Sequence, residues 1–313
     1  MESRGRTAVV VVNPTKVDVE AVRETLGEAA RASGVAEPEL VETTAEDPGQ
    51  GQARAAVEAG AELVCALGGD GTVRAVAEAL VGTDVALGLL PGGTGNLLAR
   101  NLTGGVDSLE DAARTAFAGA DRRIDVGWLV SDPTPDQLHG LPTPADNVHL
   151  FAVMAGVGFD AQMMADAPEG VKAKVGWAAY VVSGRKHLTD EPFSHHLDVD
   201  GETLAEGPAR TVVVGNCGEL TGGMVLFPDA DLDDGRLDIA TMSPESLTQW
   251  IAETARVLTG RTEGPHLART HGRDVLLRID PPQLCEVDGD VLTEASVVRF
   301  VVAPSALTVR VAR

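Results

Sequence analysis

Two glycine-rich segments hold the residues whose types and spacing could do chemistry. Gly68-Gly69-Asp70-Gly71-Thr72 follows an apolar run and leads into a helical pattern, and Pro91-Gly92-Gly93-Thr94-Gly95-Asn96 does the same further along. Glycine lets the backbone come close to an anion and aim N–H groups at it, and a helix N-terminus adds favourable partial charge. An Asp inside such a loop repels phosphate unless a cation stands between them, so Asp70 implies magnesium on a nucleotide. The plainer reading is a pair of ordinary turns, with Thr72 and Thr94 capping the helices. Two loops at equivalent places, with Asn13-Pro14 ending a third apolar run, favour a nucleotide site. No GxGxxG opens the first β-α unit and no GxxxxGK[ST] occurs, so neither the dinucleotide fingerprint nor the P-loop applies.

Acidic segments come later. Residues 228–238 hold Asp229, Asp231, Asp233, Asp234 and Asp238. An EF-hand counted from Asp229 needs Gly sixth and Glu twelfth, where Asp234 and Ala240 stand, so that motif fails. On its own the segment reads as a solvated turn. Asp288-Gly289, followed by Asp290, reads as a hairpin turn. The histidines show no HxxxH or HxH spacing, and His195-His196 is expected as an exposed strand pair. No GxSxG elbow supports a hydrolase.

These residues need elements to hold them. Residues 7–12 form a β-branched run ending at Asn13-Pro14, a buried parallel strand by composition. Residues 18–33 carry a helical period and stop at Gly34. A strand at 39–43, a helix at 52–59, a strand at 61–67, a helix at 72–81, a strand at 86–90 and a helix opening at 94–101 continue the alternation. That order predicts a parallel, Rossmann-like sheet, with ligands beyond the carboxyl ends of its strands. After about residue 126 the pattern changes. Residues 131–147 hold Pro133, Pro135, Pro142 and Pro144 and read as an exposed loop or insertion. Strands are expected at 148–157, 195–199, 211–215, 237–241 and 275–279, helices at 172–187 and 245–259, and a hairpin turn at Asp200-Gly201. The second half therefore reads as a β-sandwich.

With 313 residues, two domains are the natural expectation. A balance of 25 basic against 47 acidic residues, net −22, excludes a nucleic-acid binder, and it argues against simple electrostatic attachment to anionic lipid. Cys65, Cys217 and Cys285 lie far apart with no CxxC pair, as expected of buried thiols in a reducing compartment. The first apolar run is too short for a signal peptide and nothing later spans a membrane. The expectation is a cytoplasmic protein, with any membrane contact peripheral and at the inner face.

The segment from Leu67 to Thr72, followed by Leu89-Leu90-Pro91-Gly92-Gly93-Thr94-Gly95-Asn96, resembles the diacylglycerol kinase catalytic family. Within it the likeness is to the soluble bacterial lipid kinases, related to sphingosine kinases and NAD kinases. It runs from Asn13-Pro14 to the C-terminal strands. Gly-Gly-Asp-Gly alone is shared with NAD kinases and 6-phosphofructokinases; the pair of loops with the later features is more specific. The resemblance implies an α/β plus β fold of the NAD-kinase and diacylglycerol-kinase type. A Rossmann-like ATP-binding domain (1–126) is followed by a β-sandwich domain (127–292), and C-terminal strands (293–313) return to the first, with ATP between the domains. It implies a nucleotide site of Asn13, Pro14, Thr15, Thr44, Gly69, Asp70, Gly71, Thr72, Thr94, Gly95 and Asn96. It implies a structural magnesium held by Asp231, Asp234 and the carbonyl of Arg236, whose oxygen ligands suit a hard cation. The family's apolar-Asp-Gly-Glu pattern places the general base at Asp290, with Asp288 as the other candidate, and Asp70 reaches the nucleotide's magnesium.

The implied reaction is transfer of the ATP γ-phosphoryl group to the hydroxyl of diacylglycerol or a similar lipid. ATP and a lipid are then the partners, with Mg2+ as cofactor, peripheral membrane contact, and a homodimer as an open assembly. The apolar stretch Val175 to Val182, with Met163 and Met164, would pack on the sandwich or line an apolar groove for lipid. Two alternatives stay open. One is a superfamily kinase with a soluble acceptor such as NAD. The other is a non-catalytic ATP-binding regulatory protein, because Arg74-Ala75 and Leu97 stand where the family often has Asn-Glu and Asp.

Overall fold

The computed structural model describes residues 7–93, 95–105, 108–158, 161–162, 191–220, 224–244, 246, 249, 252–253, 256 and 264–313. The chain divides into two compact units, Met1–Ile124 with Ser305–Arg313, and Asp125–Pro304.

In the first unit the expected alternation is present: β1 (Ala8–Val12), α1 (Val19–Ala32), β2 (Glu39–Glu42), α2 (Gln50–Glu58), β3 (Leu63–Gly68), α3 (Asp70–Leu80), β4 (Ala86–Pro91) and α4 (Leu97–Thr103). Then come α5 (Leu109–Ala118) and β5 (Ala120–Ser131), neither of which was expected. Strand order is β2-β1-β3-β4, all parallel, and Val309 near the chain's end adds a fifth parallel strand beside Leu87. β1, β3 and β4 are buried almost along their whole length because helices cover both faces, while β2 at the edge stays partly exposed. Val22, Leu26 and Ala30 of α1 and Ala112, Ala116 and Phe117 of α5 pack with Val10, Val12, Cys65 and Leu67. Asp18 caps α1 through the N–H groups of Glu20 and Ala21.

Two helix starts differ from expectation. α3 begins at Asp70 with Gly69 as N-cap, so Thr72 lies inside the helix, buried, and does not cap it. α4 begins at Leu97, after Asn96 in a left-handed conformation (φ 48°).

The second unit is antiparallel. It holds β6 (Val148–Phe151), β7 (Met154–Gly158), β8 (Phe193–Val199), β9 (Glu202–Ala209), β10 (Thr211–Gly215), the short pair β11 (Glu219–Leu220) and β12 (Met224–Val225), and β13 (Leu237–Met242). β14 (Leu267–Gly272), β15 (Asp274–Val287) and β16 (Asp290–Val311) complete it. Strand order is β14-β13-β10-β7-β15-β16, with β8 also pairing β15 and β9. Period-two alternation sorts the side chains of β10: Val212 and Val214 enter the main core with Ile239, Leu277 and Phe300, while Val213 joins a second cluster with Phe227 and Leu267.

The hairpin turns at Asp200-Gly201 and Asp288-Gly289 both occur, with positive φ at each residue (52° and 84°, 48° and 87°). The span 148–157 is two strands, broken at Ala152-Val153, where consecutive N–H groups turn aside. The strand expected at 275–279 runs on to Val287, and its pairing with β16 shifts register between Arg278 and Gln283, where Pro281 and Pro282 fall. β16 stays with β15 through Val301, so the return to the first unit begins at Ser305 rather than at 293.

His195 and His196 point to opposite faces. His195 is buried, its Nδ1 2.7 Å from the Gly207 carbonyl, which corrects the expectation of exposure; His196 lies between Asp198 (3.0 Å) and Glu206 (2.7 Å). All three cysteines are buried and free. No helix among the described residues is long and apolar enough to cross a membrane. The expected helix at 172–187, with Met163, Met164 and the apolar stretch from Val175, lies outside the described residues, as do most of 245–259 and Thr94.

Candidate active site

Because β1 to β4 are parallel and in register, their carboxyl ends share one edge of the first unit. Val12 lies opposite Glu42 and Leu67, and Gly68 opposite Pro91. Most of the nucleotide residues expected from sequence are on this edge. At the end of β1 the Asn13 N–H donates to the Leu67 carbonyl (2.9 Å), and Asn13 Oδ1 accepts from the N–H (3.0 Å) and hydroxyl (2.7 Å) of Thr15. That leaves Pro14, Thr15 and Lys16 exposed on a closed turn. Thr44, after β2, donates its N–H to the Asp47 carbonyl (3.0 Å) and accepts from the Asp47 N–H at Oγ1 (3.1 Å).

The two glycine loops pack on each other. The Gly92 N–H donates to the Gly68 carbonyl (3.1 Å). A Cβ on Gly92 would lie 2.9 Å from Gly68 Cα, and one on Gly93 2.6 Å from Gly69 Cα. Part of the glycine content is therefore required by backbone meeting backbone, before any ligand is considered.

Asp70 joins the loops. Its carboxylate accepts from the N–H groups of Asn96 (3.1 Å, Oδ2) and Leu97 (2.7 Å, Oδ1), so it caps α4 from the first turn of α3. A Cβ on Gly95 would strike the same carboxylate. Asn96 completes the loop by donating Nδ2 to the Gly93 carbonyl (2.9 Å).

The helix ends are thus unequal. α4 is closed by Asp70. α3 opens at Gly69, which has no side chain to cap it, and the N–H groups of a first turn have no carbonyl within their own helix. An anion approaching this edge meets donors at α3 and a carboxylate at α4. Arg74 and Ala75 extend α3 outward, and Arg74 lines a groove with Asp47, Gly51, Arg54 and Glu78.

The acidic residues of the second unit separate into two groups. Asp288 Oδ1 accepts from the N–H groups of Val153 (2.9 Å) and Met154 (3.0 Å), and Oδ2 from Ala152 (2.8 Å). Three successive amides converge on one carboxylate, a nest filled from within the chain. Glu286, almost wholly buried, accepts the Gly289 N–H at Oε2 (2.8 Å) and holds the same turn from its other side. Asp290 is exposed at the start of β16, opposite Val287, and Glu286 lies opposite Val291. Opposed residues of an antiparallel pair share a face, so Asp290 and Glu286 project from different faces of the hairpin.

Residues 229–238 form the other group. Asp234 accepts the Arg236 N–H (2.9 Å) and is exposed, as is Asp231. Burial, and then repulsion from Asp234 and Asp229, pushes Asp238 up to about 6 against the pull of His271 and Arg269. Asp125, fully buried, accepts the Gly235 N–H and donates its own to the Leu232 carbonyl, both 2.6 Å, anchoring the loop to β5. Among the described residues no three His, Cys, Asp or Glu side chains converge on a cation. Two carboxylates and a carbonyl still suit magnesium, which keeps several of its waters.

Sequence reading gave no role to Asp125, Glu286 or Arg100. The signal for the first two was a charge within an apolar run, Ile124-Asp125-Val126 and Cys285-Glu286-Val287.

Residues 7–129 match the diacylglycerol kinase catalytic domain, and residues 152–311 match the YegS C-terminal NAD kinase beta sandwich-like domain. A protein of Cronobacter sakazakii named probable lipid kinase YegS-like is 31% identical over 262 residues, 82% of this chain and 80% of that one. An uncharacterized Synechocystis protein is 27% identical over 245 residues, 74% of this chain but only 51% of its own length. A crystal structure of a diacylglycerol kinase from Bacillus anthracis covers 99% of this chain and 98% of that one, with a TM-score of 0.72 and 18% identity, a likeness of fold.

Proposed function

The chain belongs to the YegS-like lipid kinase family, and from that premise we propose that it transfers the γ-phosphoryl group of ATP to the hydroxyl of diacylglycerol or a similar lipid. The observation that carries the nucleotide half is the N-terminus of α3, opened by Gly69 at the shared strand edge, beside the Asn13 turn and Thr44. Donors fixed there in advance would stabilise phosphate charge without reorganising. Gly69, Gly71 and Thr72 would present their N–H groups, and Thr15, Thr44, Gly95 and Asn96 would flank the nucleotide.

Magnesium, when bound, would neutralise phosphate charge at the nucleotide and tie together the loop at 231–236, through Asp231, Asp234 and the Arg236 carbonyl. Asp70 has both oxygens engaged by backbone N–H groups, so its first task is to hold the loops, and it would meet a cation with its remaining lone pairs. Asp288 has three donors on its carboxylate, which leaves exposed Asp290 as the residue to accept the hydroxyl proton. The lipid would be met at a membrane surface, with the chain attached peripherally.

The test is incubation with labelled ATP and a total lipid extract, with the product identified, beside Asp290→Asn. A labelled lipid from wild type and none from the variant is expected. Labelled NADP from NAD would turn the reading towards a soluble acceptor. ATP binding with no transfer to any acceptor would leave a regulatory protein.

A further inference from the structure

The nucleotide site described above lacks charge. A nucleoside triphosphate brings several negative charges to an edge that already holds Asp70, in a chain of net charge −22. The α4 terminus cannot help, because Asp70 occupies the N–H groups of Asn96 and Leu97. In the segments that end the four strands, residues 13–17, 43–47, 68–74 and 91–100, the cations are Lys16, Arg74 and Arg100, and Arg74 lines the groove it shares with Asp47 and Glu78. They are held differently. Lys16 rides on the exposed Asn13 turn. Arg100 folds back along α4, and its Nε donates to the Gly95 carbonyl (3.0 Å), while the side chain stays exposed.

We propose that Arg100 is a phosphate-binding residue of this site, fixed in place by the Gly95 carbonyl. The inference rests on the nucleotide reading of the glycine loops. A guanidinium has five donors in a planar fork, and anchoring Nε to the loop leaves both terminal amino groups for a ligand. The anchor also removes rotamer freedom before the ligand arrives, which lowers the cost of binding. Arg100 thereby supplies beside the second loop the positive charge that Asp70 denies to the α4 terminus. A P-loop lysine performs that office from within its own loop, and this chain has no such lysine.

The test compares ATP, ADP and adenosine by calorimetry, with magnesium present, on wild type, Arg100→Ala and Arg100→Gln. The glutamine can still donate an N–H to the Gly95 carbonyl but carries no charge. Both variants are expected to weaken ATP by about ten- to a hundredfold and ADP by less, leaving adenosine unchanged. The dependence of ATP affinity on salt should become shallower. Equal losses for all three ligands would mean that Arg100 only shapes the loop, and would overturn the proposal. So would ATP affinity unchanged in both variants while wild type binds ATP. Wild-type protein that binds no ATP would overturn the nucleotide reading itself, and the role of Arg100 with it.

Discussion

Asp288 and Asp238 lie in the same β unit and meet opposite surroundings. Three backbone N–H groups close on Asp288. Asp238 is pushed up to about 6, first by burial and then by Asp234 and Asp229. A carboxylate met by three donors acts as a strut. One met by other carboxylates is under tension that a proton or a cation relieves. Asp70 likewise accepts two backbone N–H groups, so it holds the two loops together in addition to the magnesium role expected of it from sequence. The residues of this chain that looked most like metal or proton chemistry are therefore of two kinds, and the N–H groups around them tell which is which.

The contrast can be broken most severely at Asp288. Asp288→Ala leaves three partly buried N–H groups without their acceptor and should cost about 3 kcal/mol or more, read from urea unfolding. Asp288→Asn keeps one acceptor oxygen and should cost less. If both variants unfold like wild type, the strut reading fails.

Next comes the strut in the α/β unit. Gly95→Ala should cost about 1–3 kcal/mol, because its Cβ meets the Asp70 carboxylate, and Asp70→Ala about 1 kcal/mol, as for a lost cap. In an Asp70→Ala background the Gly95 change should cost much less, and a double-mutant cycle measures that coupling. Strict additivity would mean that the loops do not share the carboxylate.

Smallest, and a sharpening rather than a break, is Asp238→Asn. The folded value of Asp238 is raised above the usual 3.8, so the folded chain keeps a proton that the unfolded chain releases. Stability from this group is therefore fullest below about pH 4 and declines as pH rises through about 6. Melting temperatures across pH 4–7 should fall less steeply in the variant. Magnesium, if held by the neighbouring loop as proposed, should offset the loss at pH 7 more than at pH 5.

The α/β frame was legible because β1, β3 and β4 are short apolar runs, stopped by Asn-Pro after β1 and by glycine-rich segments after β3 and β4, signals that local sequence carries in full. α5 was legible and passed over: Ser108 caps it through the Asp111 N–H (3.1 Å), and Ala112, Ala113, Ala116 and Phe117 keep a helical face. The full length of β15 was hidden by Pro281 and Pro282, which argue against a strand until the register shift that accommodates them is seen. The role of Asp70 could not have been read, since the amides it binds are 26 and 27 residues away in the chain. The nest at 152–154 was hidden likewise, as its filling carboxylate arrives from the far end of β15. Sequence marks residues able to do chemistry; long-range hydrogen bonds decide which of them are occupied otherwise.

The interlock of Asp70 with Gly95 has a consequence for anyone recombining such chains. The two glycine loops are one cassette written in two places. A chimera that takes residues 68–72 from one parent and 91–97 from another inherits both halves of the joint only if each parent built it with an Asp in the first and no side chain opposite it in the second. Crossovers placed between the loops should fail more often than crossovers placed outside both, and the failures should be rescued by restoring the matching partner.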